Sequence, residues 1–157
     1  MKLVAKTDVN AAPEALFGAL CDRDWLEALA RRGGAVVGRL DQNQTLCKGA
    51  GWDVRFHYRG RERHLTSRVD ALDRPRLLVL HGESSGFETG AEVLLTPLSR
   101  QTTRMSVVLD IKPRSFTARL ILQTLKIGKS RLKERLEARL QAMGEALKER
   151  AEQRENR

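Results

Sequence analysis

Aromatic residues are scarce in this chain, with two Trp, one Tyr and four Phe among 157 residues, or 4% of the total. A core of ordinary size must then be filled largely by aliphatic side chains, and the position of each aromatic becomes informative. Cys21 and Cys47 are the only cysteines. Without a Cys-x-x-Cys pair they exclude a zinc ribbon and a disulfide framework, and they read as small core or semi-buried residues. No apolar run approaches the roughly 18 residues that span a bilayer. The first residues, Met1-Lys2-Leu3-Val4-Ala5-Lys6, alternate where a signal peptide would be continuously apolar. A soluble, cytoplasmic protein is expected. Internal repeats and low-complexity linkers are absent, and the length suits one domain over 1–157.

Positive charge, by contrast, is abundant: 29 Lys+Arg against 20 Asp+Glu, a formal net charge of +9. From Lys112 to Arg157 there are 13 basic and 6 acidic residues, so nearly all of the excess is C-terminal. Much of it interleaves with Glu134, Glu137 and the acids from Glu145 to Glu155, as on a solvated helix face. Lys112, Arg114, Arg119, Lys126, Lys129 and Arg131 differ, because no acid intervenes among them. They are candidates for binding an anion, whether a ligand head, an anionic membrane surface or RNA. Single-stranded nucleic acid is disfavoured, since there is no repeated aromatic interleaving there for base stacking, Phe116 standing alone.

Leu3, Ala5, Thr7 and Val9 alternate with Lys2, Val4, Lys6 and Asp8, predicting a strand over 1–10. Pro13 suits a first helical position, and Ala15, Leu16, Ala19 and Leu20 give that helix an apolar stripe, with Phe17 beside it. A second short helix, capped by Asp22 or Asp24 and ended at Gly33-Gly34, offers Trp25, Leu26, Ala28 and Leu29 as its apolar side, so two helices occupy 13–32. Short alternating runs then fill 35–111, with strands expected at 35–41, 51–59, 61–71, 76–83, 87–97 and 102–111. Being sequential, they suggest an antiparallel meander. After Pro113, Leu122, Leu125, Leu132, Leu136, Leu140, Met143 and Leu147 recur at helical spacing, which predicts one long helix over 115–151 and a frayed tail at 152–157. Residues 116–127 are apolar nearly all round and should be the most enclosed part of it.

This order, together with Ala12-Pro13-Glu14-Ala15-Leu16-Phe17, the segment Asp22 to Trp25, the entry Gly49-Ala50-Gly51-Trp52 and the terminal helix after Pro113, resembles the START-like or SRPBCC superfamily. Within it the chain looks like the polyketide cyclase/dehydrase-type branch. The resemblance covers essentially the whole chain. It implies an α+β helix-grip fold, β-α-α-β6-α, in which a curved antiparallel sheet of about seven strands wraps around a long C-terminal helix. It also implies a cavity for an apolar or amphipathic small molecule, but no single reaction.

Read from the residues, such a cavity would be lined by Trp52, Val54, Phe56 and Tyr58 on one strand face. Leu65, Ser67 and Val69 would lie across the hairpin, with Phe116, Leu120 and Leu125 on the helix. The alternative is that the same residues simply fill the core. His57 alternates with Asp53 and Arg55, which places it on the outer face, and His64 among Arg61, Glu62 and Arg63 reads the same way. His81 and Glu83 share a strand face with Leu77 and Val79 and could form a His-carboxylate pair inside the cleft, with Tyr58 a further catalytic candidate. Leu78 and Leu80 are the competing inward set. No spacing suits a metal, a dinucleotide, a serine nucleophile or a Walker lysine, so no cofactor is expected. The expected function is binding or transport of a hydrophobic small molecule or lipid. A polyketide cyclase/dehydrase-like enzyme is the first alternative, and an adaptor that binds RNA or an anionic membrane through the basic helix is the second.

Overall fold

The computed structural model describes residues 1–156. Strand β1 (Lys2–Val9) leads into helices α1 (Pro13–Leu20) and α2 (Arg23–Arg32), which are followed by β2 (Val36–Arg39), β3 (Gly51–Tyr58), β4 (Arg61–Asp73), β5 (Leu77–Ser84), β6 (Phe87–Pro97) and β7 (Thr103–Pro113). Two helices close the chain, α3 (Phe116–Ile127) and α4 (Lys129–Glu155). The seven strands form one antiparallel sheet in the order β1-β7-β6-β5-β4-β3-β2. Six are therefore a meander, as their succession predicts, and β1 adds to the free edge of β7. This is a helix-grip α+β fold.

Register decides which residues share a face. Trp52 pairs with Ser67, Val54 with Leu65, Phe56 with Arg63 and Tyr58 with Arg61, so all eight face the helices. A bulge between Val69 and Ala71 lets both Val69 and Leu72 pack inward, opposite Leu80 and Leu78. The core lies between this face and α1 and α4, where Val9, Leu16, Phe17, Leu95, Met105 and Leu147 are almost fully buried. Only two of its buried members, Phe17 and Trp52, are aromatic, in keeping with the composition.

Three expectations are corrected. The C-terminal helix is broken at Gly128, whose N–H returns to the carbonyl of Leu125 to end α3 while the same residue starts α4. The helix does not fray at 152 but runs to Glu155; Arg157, also part of the expected tail, lies outside the described residues. The enclosed part of the C-terminal region is the distal half of α4, where Leu140, Gly144, Leu147 and Ala151 are buried. Gly144 is what allows this. A Cβ there would stand 3.0 Å from Val9 Cγ2 and 3.3 Å from Thr7 Cγ2, so the glycine sets how closely α4 approaches β1. In α3, Ala118 and Leu122 are buried, whereas Phe116 and Ile127 are 76% and 88% exposed.

Candidate functional site

The β3–β4 hairpin and the second half of α3 do not close on each other. Between them lies an open groove of about 510 Å3, within the range of small-molecule sites, roughly 300 to 1,000 Å3. Phe56, Tyr58 and Leu65 form its floor, Phe87, Thr89 and Ile111 continue it across β6 and β7, and Ile121, Thr124 and Leu125 of α3 form the roof. The floor is apolar because β3 alternates, sending Phe56 and Tyr58 inward and His57 outward. The roof is supplied by α3 alone, through Ile121, Thr124 and Leu125.

Of the ten residues expected to line the cavity, Phe56, Tyr58, Leu65 and Leu125 do so. Trp52, Val54 and Val69 face the right way but sit deeper, in the packed core. Ser67 is on the inward face beyond the groove's end. Phe116 and Leu120 correct the expectation, since they lie on the solvent side of α3, 76% and 50% exposed. The sequence reading missed three cations, Arg59, Arg61 and Arg63, all of which line the groove. The signal was present: Arg61 and Arg63 stand at i−4 and i−2 from Leu65, and strand parity puts them on its face. The groove's lining contains no Asp or Glu.

Trp52 is held from beneath. Its indole N–H donates to Glu27 Oε2 at 2.7 Å, and Arg23 lies 5.0 Å from its ring centre. The Arg23 guanidinium is fully buried and donates to both carboxylate oxygens of Asp41 (2.6 and 2.9 Å) and to the carbonyls of Asn43 and Gly51. Glu27 also accepts from Arg39. Burial works to raise the Glu27 carboxyl, but the hydrogen bonds from Arg39 and Trp52 outweigh it and hold the group below its usual value. Asp41 is held well below the carboxylate range by the Arg23 hydrogen bonds, helped by the Gly51 N–H. The most buried residues of α2 are thus Arg23 and Glu27; of the expected apolar side, Trp25 and Leu26 are half-buried against the core, while Ala28 is exposed. This cluster anchors the loop between β2 and β3 and the root of the hairpin whose tip forms the groove.

The proposed pairing of His81 with Glu83 in the cleft is corrected by register. Leu78, Leu80 and Gly82 face inward, opposite Leu72, Val69 and Ser67, which leaves His81 and Glu83 on the outer face. There His81 Nε2 lies 3.4 Å from Glu88 Oε1 and is half exposed. His64 pairs with Asp53 on the same outer face, beside a polar depression that also involves Glu83, Glu88 and Arg114. Tyr58 is at the groove, but no His or carboxylate lines it. Among the described residues no group of three His, Cys, Asp or Glu side chains is placed to hold a metal ion.

The six basic candidates separate. Lys112 and Arg114 turn to the outer face of the sheet, where Asp110 (3.9 Å from Lys112) and Glu88 pair with them. Arg119, Lys126, Lys129 and Arg131 are exposed along α3 and the start of α4, and none is in an ion pair among the described residues. No described helix is long and apolar enough to cross a membrane.

No protein-family model and no curated protein sequence matches the chain. Solved structures do. A Thermus thermophilus protein superposes with a TM-score of 0.68 at 13% identity, over 96% of this chain and 97% of that one. The Zhui aromatase/cyclase of a Streptomyces species gives 0.66 at 17% identity, over 98% and 94%. A START superfamily protein of Mycobacterium smegmatis gives 0.56 at 15% identity, over 87% and 97%. At these identities the likeness is one of fold.

Proposed function

We propose that this helix-grip protein binds a hydrophobic small molecule or lipid in the groove between the β3–β4 hairpin and α3. The observation that carries the reading is the apolar, incompletely roofed groove itself. Phe56, Tyr58, Leu65, Ile111 and Leu125 converge on a space that the protein does not fill, and covering such surface with an apolar ligand yields roughly 25 cal/mol per Å2. A binding role also accords with the lining, which offers hydroxyls and guanidiniums but neither imidazole nor carboxylate. The polyketide cyclase-like alternative draws its support from the shared fold with an aromatase/cyclase, and its remaining candidate in the groove is Tyr58.

The test is native mass spectrometry of the purified protein, together with binding assays against fatty acids, isoprenoids and polyketide-like aromatics. A retained ligand, or saturable binding that Leu125→Arg abolishes, is expected. Absence of any ligand and of binding across the panel overturns the reading.

A second reading rests on α3. Its exposed Phe116, Leu120 and Ile127 stand among Arg119, Lys126, Lys129 and Arg131, the pattern of a surface that inserts apolar side chains among anionic headgroups. Peripheral contact with an anionic membrane would place the groove's roof against the lipid. Cosedimentation with vesicles containing phosphatidylglycerol, but not with pure phosphatidylcholine, is expected. Phe116→Ser/Ile127→Ser weakens it; equal binding to both vesicle types, or to neither, removes the reading.

A further inference from the structure

The groove is apolar along its floor and roof but cationic at one end, and nothing in the protein answers that charge. Arg59, Arg61 and Arg63 all line it, no acidic residue does, and none of the three takes part in an ion pair among the described residues. The nearest acid in sequence, Glu62, alternates to the opposite face, where it pairs in register with His57. The other described arginines that are not fully exposed are all paired, Arg23 with Asp41, Arg39 with Glu27 and Arg150 with Asp22.

Arg63 is the sharpest case. It is half-buried, and its Nε–H is shielded from solvent without any acceptor. A buried donor left unmatched is costly, on the order of 1 to 3 kcal/mol and more when the group is charged, so an oxygen ligand at that point recovers what the folded chain forgoes. Arg59 and Arg61 are exposed at the rim, with Arg59 lying over the Tyr58 ring at 5.5 Å. A planar guanidinium offers paired N–H groups that match a carboxylate or phosphate.

We infer that the groove takes an amphiphile whose apolar body lies between the hairpin and α3 and whose single anionic oxygen head is held by Arg63, with Arg59 and Arg61 closing over it. This deepens the ligand-binding proposal and rests on it. The apolar portion supplies affinity by burial, while the arginines supply orientation and reject neutral or cationic amphiphiles.

The experiment compares dodecanoate, dodecyl phosphate, 1-dodecanol and dodecyltrimethylammonium, each below its micelle concentration, by displacement of a fluorescent fatty-acid probe at fixed ionic strength. At least one of the two anions is expected to bind about tenfold or more tighter than the alcohol, with the cation weakest; whichever anion leads identifies the head as carboxylate or phosphate. Arg63→Met keeps the aliphatic stem and should bring the anions down to the affinity of the alcohol, whereas Arg63→Lys should retain part of the preference. If Arg63→Met does not fold, Arg59→Gln/Arg61→Gln, two changes at exposed positions, must narrow the preference severalfold.

Alcohol and anions binding alike, or a preference unchanged in the arginine variants, overturns this inference while leaving the apolar groove as the binding site. Absence of binding by all four probes and by the wider panel overturns both.

Discussion

The indole N–H of Trp52 donates to Glu27 Oε2 at 2.7 Å, across 25 residues and in a buried setting. That bond ties the start of β3 to the middle of α2, and it explains why the more conspicuous of the aromatics on β3 does not line the groove. A Trp needs a partner for its N–H when buried. Here the partner is a carboxylate already engaged by Arg39, so Trp52 is a structural anchor and leaves the ligand surface to Phe56 and Tyr58.

Removing Glu27 should therefore destabilise the protein without touching the groove. Glu27→Leu leaves the Trp52 N–H unanswered and the half-buried Arg39 guanidinium with only the exposed Asp24 as a carboxylate partner, and a loss of about 3 kcal/mol is expected, as for other buried pairs broken on one side. Urea denaturation monitored by fluorescence measures it. A change below about 1 kcal/mol would show that the cluster contributes little.

Acid should weaken the same region. Glu27, Asp22 and Asp41 all have carboxyls lowered from their ordinary values; for Asp22, burial opposes the shift but the hydrogen bonds from Arg150 and the Trp25 N–H prevail. A group with a lowered folded pKa gives stability that is present above its unfolded value, about 4, and is lost as pH falls through the folded one. Stability is thus expected to hold near neutrality and fall below about pH 4, with a shallower fall in Glu27→Gln. Denaturation midpoints between pH 3 and pH 7 check this.

Gly144 is a contact residue more than a helix defect. Its replacement by Ala should gain none of the roughly 1 kcal/mol that helix propensity alone would give, because Val9 and Thr7 must yield to the new Cβ. Gly144→Leu should cost about 2 kcal/mol or more through overpacking. Thermal denaturation of both variants tests the point, and a stabilised Gly144→Leu would refute the close packing of α4 on β1.

The outer-face histidine should be silent at the groove. His81→Ala and Glu83→Gln, changed together, are expected to leave the affinity for the best ligand of the panel within about twofold, as surface changes away from a site usually do. A large loss would mean that the outer face takes part in binding.

The two thiols should differ in reactivity. Burial raises the Cys21 thiol above its ordinary value, while Cys47 is half exposed. One equivalent is expected to react quickly with an aromatic disulfide at mild alkaline pH and the second only on unfolding; Cys47→Ser should remove the fast phase.

Local periodicity was enough to place most elements. Alternation located all seven strands within a few residues, Pro13 located α1, and the Trp52-Val54-Phe56-Tyr58 face came out on the correct side of the sheet. Arg61 and Arg63 were equally accessible by parity with Leu65, but charged residues on an inward face contradict the usual expectation, and only an open groove makes their position reasonable. His81 was ambiguous because its strand carries apolar residues on both faces, with Leu77 and Val79 beside Leu78 and Leu80.

The sequence alone therefore determined the order of elements, the meander and the concentration of positive charge in the C-terminal helices, since each is set by residues near one another along the chain. The tertiary structure decided which of these features meet. Cross-strand register turned His81 outward and Arg63 inward, and Glu27 claimed Trp52 from a helix 25 residues away. Ile121 and Leu125 of α3 came to lie over Phe56, Tyr58 and Leu65 of the hairpin without filling the space between them. Those outcomes depend on contacts between distant segments, where packing and the partnering of buried polar groups prevail over local pattern.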